Sequence, residues 1–262
     1  MSTTRSVSLT EIAEHLDTML RVAEVPDYGG AHNGVQVENA SPIRRIATAV
    51  DASLETIQGT IDAGANLLIV HHGLFWSGAQ PLRGRIYERF RRLLANDVAV
   101  YSVHIPLDLH PVVGNNVLLA VELDLEISGR FGQYKDALIG VMGDADIATT
   151  ELADRVRRLS ERGGGSVVIV GNSPGRRTRR WAICSGAGVS SETLREAVGA
   201  GIDTLIVGEG SHHTGVEARE LGVAVLYAGH YATETLGVQA LGTEIEREFG
   251  VPWTFIEAPT GL

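Results

Sequence analysis

The chain has 262 residues, enough for one large domain or two small ones, each with a real hydrophobic core. Apolar residues make up 44% and charged residues 21%, the balance of a folded globular chain, while a formal net charge of -10 repels phosphate backbones and argues against a nucleic-acid partner. No apolar run approaches 18 residues and the N-terminus lacks a signal-peptide core, so neither a membrane span nor export is expected.

Ser8-Leu-Thr-Glu11 reads as a capping box, and Leu9, Ile12, Leu16 and Leu20 follow at helical spacing, which predicts a helix to about Ala23. Pro26 and Gly29-Gly30 break it. Val35–Val37 reads as a short strand and Ile46–Val50 as a clearer one, ending at Asp51. A helix over 53–63, closed by Gly64, leads to the strand Leu67–Val70, apolar on both faces as in a covered sheet. His71-His72-Gly73 stand at its exit. A helix over 86–94 and a strand over 98–101 lead to His104, and Gly114-Asn115-Asn116 opens another helix with an asparagine as its cap. From about Gly129 the pattern loosens. Ala137–Met142 and Val167–Val170 read as strands around a helix over 150–162, which Gly163-Gly164-Gly165 ends. Arg176–Arg180 reads as a solvated basic loop before the apolar strand 181–184. That strand holds the single cysteine, Cys184, which reads as a buried small residue in a chain suited to the cytoplasm. Gly186-Ala-Gly188 reads as a tight turn. The alternation of strand and helix predicts an α/β architecture with mixed sheets.

The chain echoes itself. Glu55-Thr56-Ile57 followed by Ala63–Val70 matches Glu192-Thr193-Leu194 followed by Ala200–Val207, at a constant offset of 137. Val98-Ala-Val100 leads to His104 and Asp108, as Val223-Ala-Val225 leads to His230 and Glu234. Each half carries His-x-x-x-carboxylate just past a strand. We read a duplication, with a first half over 1–128 holding His71, His72 and Asp108 and a second over 129–262 holding His230 and Glu234. The strand exits of the two halves would share one cleft, as open α/β sheets do for ligands.

These residue types at strand exits point to metal chemistry. Neighbouring side chains in extended backbone diverge, so His71 and His72 suit two ions better than one. Neutral imidazole suits zinc, iron and related divalent ions. His230 and Glu234 share a face if they lie on one helical turn, and a glutamate there can bridge two cations. The expected ligands are His71, His72, Asp108, His230 and Glu234.

The segments 65–76, His104-Ile-Pro-Leu-Asp108 with Gly114-Asn-Asn116, and Gly229-His-Tyr-Ala-Thr-Glu234 resemble those of the GTP cyclohydrolase I type 2, or Nif-three-like, family, in order over nearly the whole chain. The resemblance implies two similar interlinked α/β domains, a dinuclear metal centre on the same five ligands with the glutamate bridging, and a ring-shaped homohexamer. Two features depart from the family: His32-Asn33-Gly34-Val35-Gln36 replaces its frequent Asp-Asn-x-Gly-Leu-Gln, and the long central insertion of some members is absent. Glu209 and His213 match an acid and a histidine that many members carry.

The expected function is a metal-dependent hydrolase of a nucleotide. Two cations lower the pKa of a water, and His104, Glu209 or His213 acts as general acid or base. The alternatives are a metal-dependent phosphoesterase and a non-catalytic metal- or ligand-binding ring scaffold. Trp76, beside the histidines, reads as wall packing of the site.

Overall fold

In the computed structural model of the protein, residues 6–262 are described, so the first five residues of the expected first half lie outside the description. The chain forms two compact units. The first comprises residues 1–107 and 238–258, the second residues 108–237 and 259–262.

The first unit opens with helix α1 (Leu9–Met19), capped as its sequence predicts. Glu11 N donates to Ser8 Oγ at 3.2 Å and Ser8 N to Glu11 Oε2 at 2.9 Å, a reciprocal pair of the kind that stabilises a helix by about 1 kcal/mol. Then come β1 (Gly34–Val37), β2 (Ile46–Asp51), α2 (Leu54–Asp62), β3 (Leu67–His72), α3 (Gly84–Ala95) and β4 (Ala99–Ser102). The single turn α4 (Ile105–Asp108) carries the chain into the second unit.

That unit holds α5 (Asn115–Glu122), β5 (Gly129–Tyr134), β6 (Ala137–Ala148), α6 (Thr149–Arg162), β7 (Val168–Val170), β8 (Arg177–Cys184), α7 (Ser191–Gly199), β9 (Thr204–Val207), α8 (His212–Leu221), β10 (Ala224–Tyr227) and the turn α9 (His230–Thr233). Helix α10 (Thr235–Phe249) returns to the first unit, where β11 (Trp253–Phe255) ends the element order.

The first sheet has the order β1-β4-β3-β2-β11, parallel except for β1. The second has the order β5-β6-β8-β9-β10-β7, with β8, β9 and β10 parallel and the others antiparallel. Both sheets are mixed, within the expected α/β class. In each, three successive parallel strands (β2, β3 and β4; β8, β9 and β10) are flanked by an antiparallel strand on the side of the third (β1 on β4, β7 on β10). The repeated passage folds alike down to its caps. Ser53 and Thr56 at α2, and Ser190 and Thr193 at α7, form the same capping box, and Gly64 and Gly201 follow in left-handed conformation at φ 68° and 70°. In the first unit Ala47, Ala49, Leu68, Val70 and Val100 of the sheet pack on Ile57 of α2 and Leu93 of α3.

Several expectations are revised. The units part at 107/108 rather than 128/129, because α5 buries Leu119 and Ala120 in the second core with Val141 and Trp181. Asn116 reinforces this: its side chain donates to Ile139 O and accepts from Ser185 N, both at 2.8 Å. The C-terminal segment belongs to the first unit because β11 pairs in parallel with β2, a long-range pairing that local pattern does not encode. The α5 cap is Gly114, not an asparagine; Asn115 is the first helical residue. Arg177–Arg180 lie in β8 rather than in a loop. Thr178 points inward, while Arg177 and Arg179 pair with Asp146 on the neighbouring β6. Strand β5, unassigned from sequence, forms a hairpin with β6. Among the described residues no helix is long and apolar enough to cross a membrane.

Candidate metal centre

In the first unit the carboxyl end of β3 presents His71 and His72. The strand is buried along nearly its whole length, and its polar exit lies at the carboxyl end, where open α/β sheets hold ligands. His71 is fully buried, and its Nδ1 lies 3.0 Å from Val103 O. His72 Nδ1 lies 2.9 Å from Asp51 Oδ1, at the end of the adjacent strand. His104 Nδ1 lies 2.9 Å from Asp27 Oδ1. Every acceptor here is an oxygen, so each Nδ1 carries the proton and each Nε2 is the basic nitrogen.

The three rings form one cluster, with centroids 4.8 Å apart for His71–His72, 4.8 Å for His71–His104 and 5.5 Å for His72–His104. One nitrogen from each lies within 4.8 Å of the others, a set able to hold a metal ion. The imidazoles of His71 and His72 thus converge more than alternating strand geometry suggests, because the pleat ends here and each ring is drawn by its own Nδ1 acceptor. Trp76 meets His104 edge-on at 4.8 Å and His72 at 5.7 Å, and so walls the cluster.

Asp27 was missed in the sequence. It accepts from Asn33 Nδ2 at 2.9 Å and from Ile105 N at 3.0 Å besides engaging His104. A carboxylate is therefore present beside Asn33 although His32 occupies the position before it. Burial pushes the Asp27 pKa up, but the hydrogen bond and charge of His104, with the bonds from Asn33 and Tyr28, outweigh it and hold the carboxyl below its usual range. The signal available was Asp27-Tyr28 a few residues before Asn33 and the start of β1, which spacing alone could not tie to His104.

In the second unit Asp108 ends α4 and is 6% exposed. Its Oδ1 accepts from Asn115 Nδ2 at 2.8 Å and from Ser185 Oγ at 3.2 Å, which fixes the carboxylate plane. His230 and Glu234 sit at the two ends of the α9 turn, and the buried Glu234 places Oε2 3.1 Å from His230 Nε2. His230 Nδ1 lies 2.9 Å from Glu209 Oε1. Burial lowers the His230 pKa, yet hydrogen bonding and charge from Glu234 and then Glu209 prevail and push it up to about 9. The ring thus lies between two carboxylates, Glu209 at Nδ1 and Glu234 at Nε2, and a cation would take the place of the proton at Nε2.

Gly186 completes this half. At φ 60° it forms the tight turn read in the sequence, and a Cβ there would stand 2.2 Å from Glu234 Oε1 and 3.1 Å from His230 Nε2. Its N–H donates to Thr233 Oγ1 at 3.0 Å.

The acid–base candidates separate. His104 belongs to the first unit's histidine cluster. Glu209 orients His230. His213 is exposed in the first turn of α8, while its neighbour His212 lines a cavity of the second unit. Cys184 is buried, and desolvation, then the charges of Asp108, Glu196 and Glu234, push its thiol up to about 12, so it is inert packing.

The chain matches the Duf34/NIF3 (NGG1p interacting factor 3) family over residues 7–260. Curated relatives include the GTP cyclohydrolase 1 type 2 homolog of Deinococcus radiodurans, 41% identical over 254 residues (96% of this chain, 94% of the relative). That of Pyrococcus horikoshii is also 41% identical, over 96% of this chain and 98% of the relative. Among solved structures, protein ybgI, described as of unknown function, aligns with a TM-score of 0.87 at 34% identity over 98% of this chain and 100% of its own. TTHA1606 of Thermus thermophilus aligns with a TM-score of 0.79 at 32% identity, with the same coverage. Fold, order of motifs and full-length similarity agree: the chain belongs to the Duf34/NIF3 family.

Proposed function

We propose that His71, His72, Asp108, His230 and Glu234 form one dinuclear metal centre, with His104 beside it, and that the protein is a metal-dependent hydrolase of a nucleotide-like small molecule. One observation carries this reading. All four imidazoles are held through Nδ1 by an oxygen acceptor, three of them by a carboxylate. Metal-binding histidines are oriented in this way, because the outer acceptor fixes the tautomer and raises the basicity of the other nitrogen. The donor set of imidazoles and carboxylates fits zinc, iron or manganese. The missing side chain at Gly186 leaves room for the Glu234 carboxylate, which supports the fit.

When bound, a pair of divalent cations supplies Lewis acidity and lowers the pKa of water. The chain's residues supply the rest. Asn115 and Ser185 hold the plane of Asp108. Asp51, Asp27 and Glu209 keep the Nδ1 protons of His72, His104 and His230 in place. His104 Nε2 and His213 are the side chains available to move a proton to or from substrate. The curated relatives' name supports a purine nucleotide as substrate, and the family resemblance supports a hexameric ring. A lone, buried cysteine suits the reducing cytoplasm.

The test has two stages. Metal content by mass spectrometry of the purified protein should approach two ions per chain and fall in Glu234→Gln. The loaded protein should then turn over GTP or a related nucleotide. Full occupancy in Glu234→Gln would remove the bridging role, and no turnover of nucleotides or phosphate esters under zinc, manganese or iron would remove the hydrolase.

A further inference from the structure

The second unit contains a cavity of about 480 Å³ that the metal ligands do not occupy. That volume lies within the range of small-molecule sites, roughly 300–1,000 Å³. Its construction is legible. One wall is the α8-facing side of β7, where Val168 and Val170 line the cavity, Val170 also packing on the core beneath α8, while Ile169, between them, packs into the core on the other side. Tyr227 of β10, registered against Val168, adds a ring, and its hydroxyl is 3.0 Å from Thr214 Oγ1. The facing wall is one side of α8: His212, Gly215, Val216 and Arg219 follow the spacing of a single helix face, and all line the cavity.

The polar groups lie at opposite ends. Glu209, engaged with His230, and His212 stand where β9 gives way to α8. Arg219 is seven residues further along the helix, about 10 Å at 1.5 Å per residue. Arg219 is exposed and pairs with no carboxylate among the described residues, unlike Arg155, Arg177 and Arg247. Glu209 repels an anion at its end, so the lining is polarised, with an anion seat at Arg219, an apolar slot between, and a polar end beside His230.

We infer that this cavity binds an aromatic phosphate ester of mononucleotide size, its phosphate at Arg219 and its ring between β7 and α8. Arginine's planar fork suits a phosphate, and the valine and tyrosine walls suit a flat ring. The ring's far edge then faces Glu209 and His230, so the cavity would hold the non-reacting part of the substrate. That last step rests on the function proposed above, whereas binding itself does not.

The test uses the full chain, treated with chelator, and titrates it calorimetrically with AMP, adenosine and inorganic phosphate. AMP should saturate, and adenosine and phosphate should each bind at least about tenfold more weakly. Arg219→Ala should weaken AMP by about tenfold and leave adenosine unchanged. Val216→Glu, on the exposed helix face, should weaken both. Both variants should take up metal as the parent does. Lack of AMP binding at millimolar concentration, or AMP binding indifferent to Arg219→Ala, overturns the inference. So does AMP binding seen only in metal-loaded protein, which would assign the nucleotide to the metal ligands and leave the proposed function standing. Normal AMP binding by a chain that takes up no metal would do the reverse.

Discussion

Gly186 offers a sharp test of the candidate metal centre, because its role is to be absent. In Gly186→Ala the new Cβ starts 2.2 Å from Glu234 Oε1, where ordinary contact begins at 3.4 Å, so the carboxylate must retreat by about 1 Å. Glu234 has little freedom to do so, being 2% exposed and 3.1 Å from His230 Nε2. The variant also pays left-handed strain of about 1–2 kcal/mol, since residue 186 sits at φ 60°. Gly201→Ala separates the two effects. Gly201 sits at φ 70° and an added Cβ meets nothing within 4 Å. Gly201→Ala should lose about 1–2 kcal/mol in urea unfolding, and Gly186→Ala at least as much, since its clash adds to the strain. Only Gly186→Ala should lose metal affinity, by at least about 10–100-fold, the loss typical when groups supporting a metal site are disturbed. Competition against a chromophoric chelator measures it. Parental affinity in Gly186→Ala, or an equal loss in Gly201→Ala, would refute the cradle.

Asp27→Asn should destabilise the protein by about 1–3 kcal/mol, since Asp27 accepts from Asn33 and Ile105 and engages His104. The folded-state pKa of Asp27 is depressed, so its stabilisation is present above the carboxylate's unfolded pKa and fades as pH falls below about 4; urea midpoints across pH 3–7 should show a shallower acid decline in the variant. Cys184, with its thiol pushed up to about 12, should resist a disulfide reagent at pH 8 in the folded protein and react fully in denaturant; fast native labelling would contradict its burial. Asp51→Ala and Glu209→Ala should each lower metal affinity by about 10–100-fold with little change in secondary structure by circular dichroism; unchanged affinity in either would show that the acid does not orient its histidine.

Much of this architecture was legible because local chemistry dictated it. The box at Ser8 fixes a helix start by reciprocal hydrogen bonds within four residues, and such bonds need no tertiary partner; the boxes at Ser53 and Ser190 work alike but went unread, although their helices were expected. The apolar run before His71 could only be a covered strand. What escaped depended on distance along the chain. Asp27 and His104 are 77 positions apart, Ser185 and Asp108 are also 77 apart, and β11 joins β2 from the far terminus. Composition misled in one place. Arg176–Arg180 suggested a solvated loop, but the alternation with the buried Thr178 and the acids on β6 make it a paired strand.

The arrangement of the imidazoles follows from parallel pairing. Parallel neighbours end on the same side of a sheet, so what leaves one strand meets what leaves the next. In the first unit β2 and β3 pair with Asp51 directly opposite His72, and the carboxylate takes the imidazole's Nδ1. In the second, β9 and β10 pair in register; Glu209 follows the one, His230 follows the other, and the same contact forms. The duplicated framework thus yields one carboxylate–imidazole pair across neighbouring strand exits in each unit, besides the His104–Asp27 pair of the first, although the sequence around each differs. At the offset of 137, Gly208-Glu209 stands where the first repeat has His71-His72, so the same strand exit supplies the imidazole in one unit and its acid in the other. Inverting those roles keeps the pair and changes which neighbour must carry it. That is why His230 lies beyond the next strand, and why Gly208 has no side chain: a Cβ there would come within 2.8 Å of the Cα of His230.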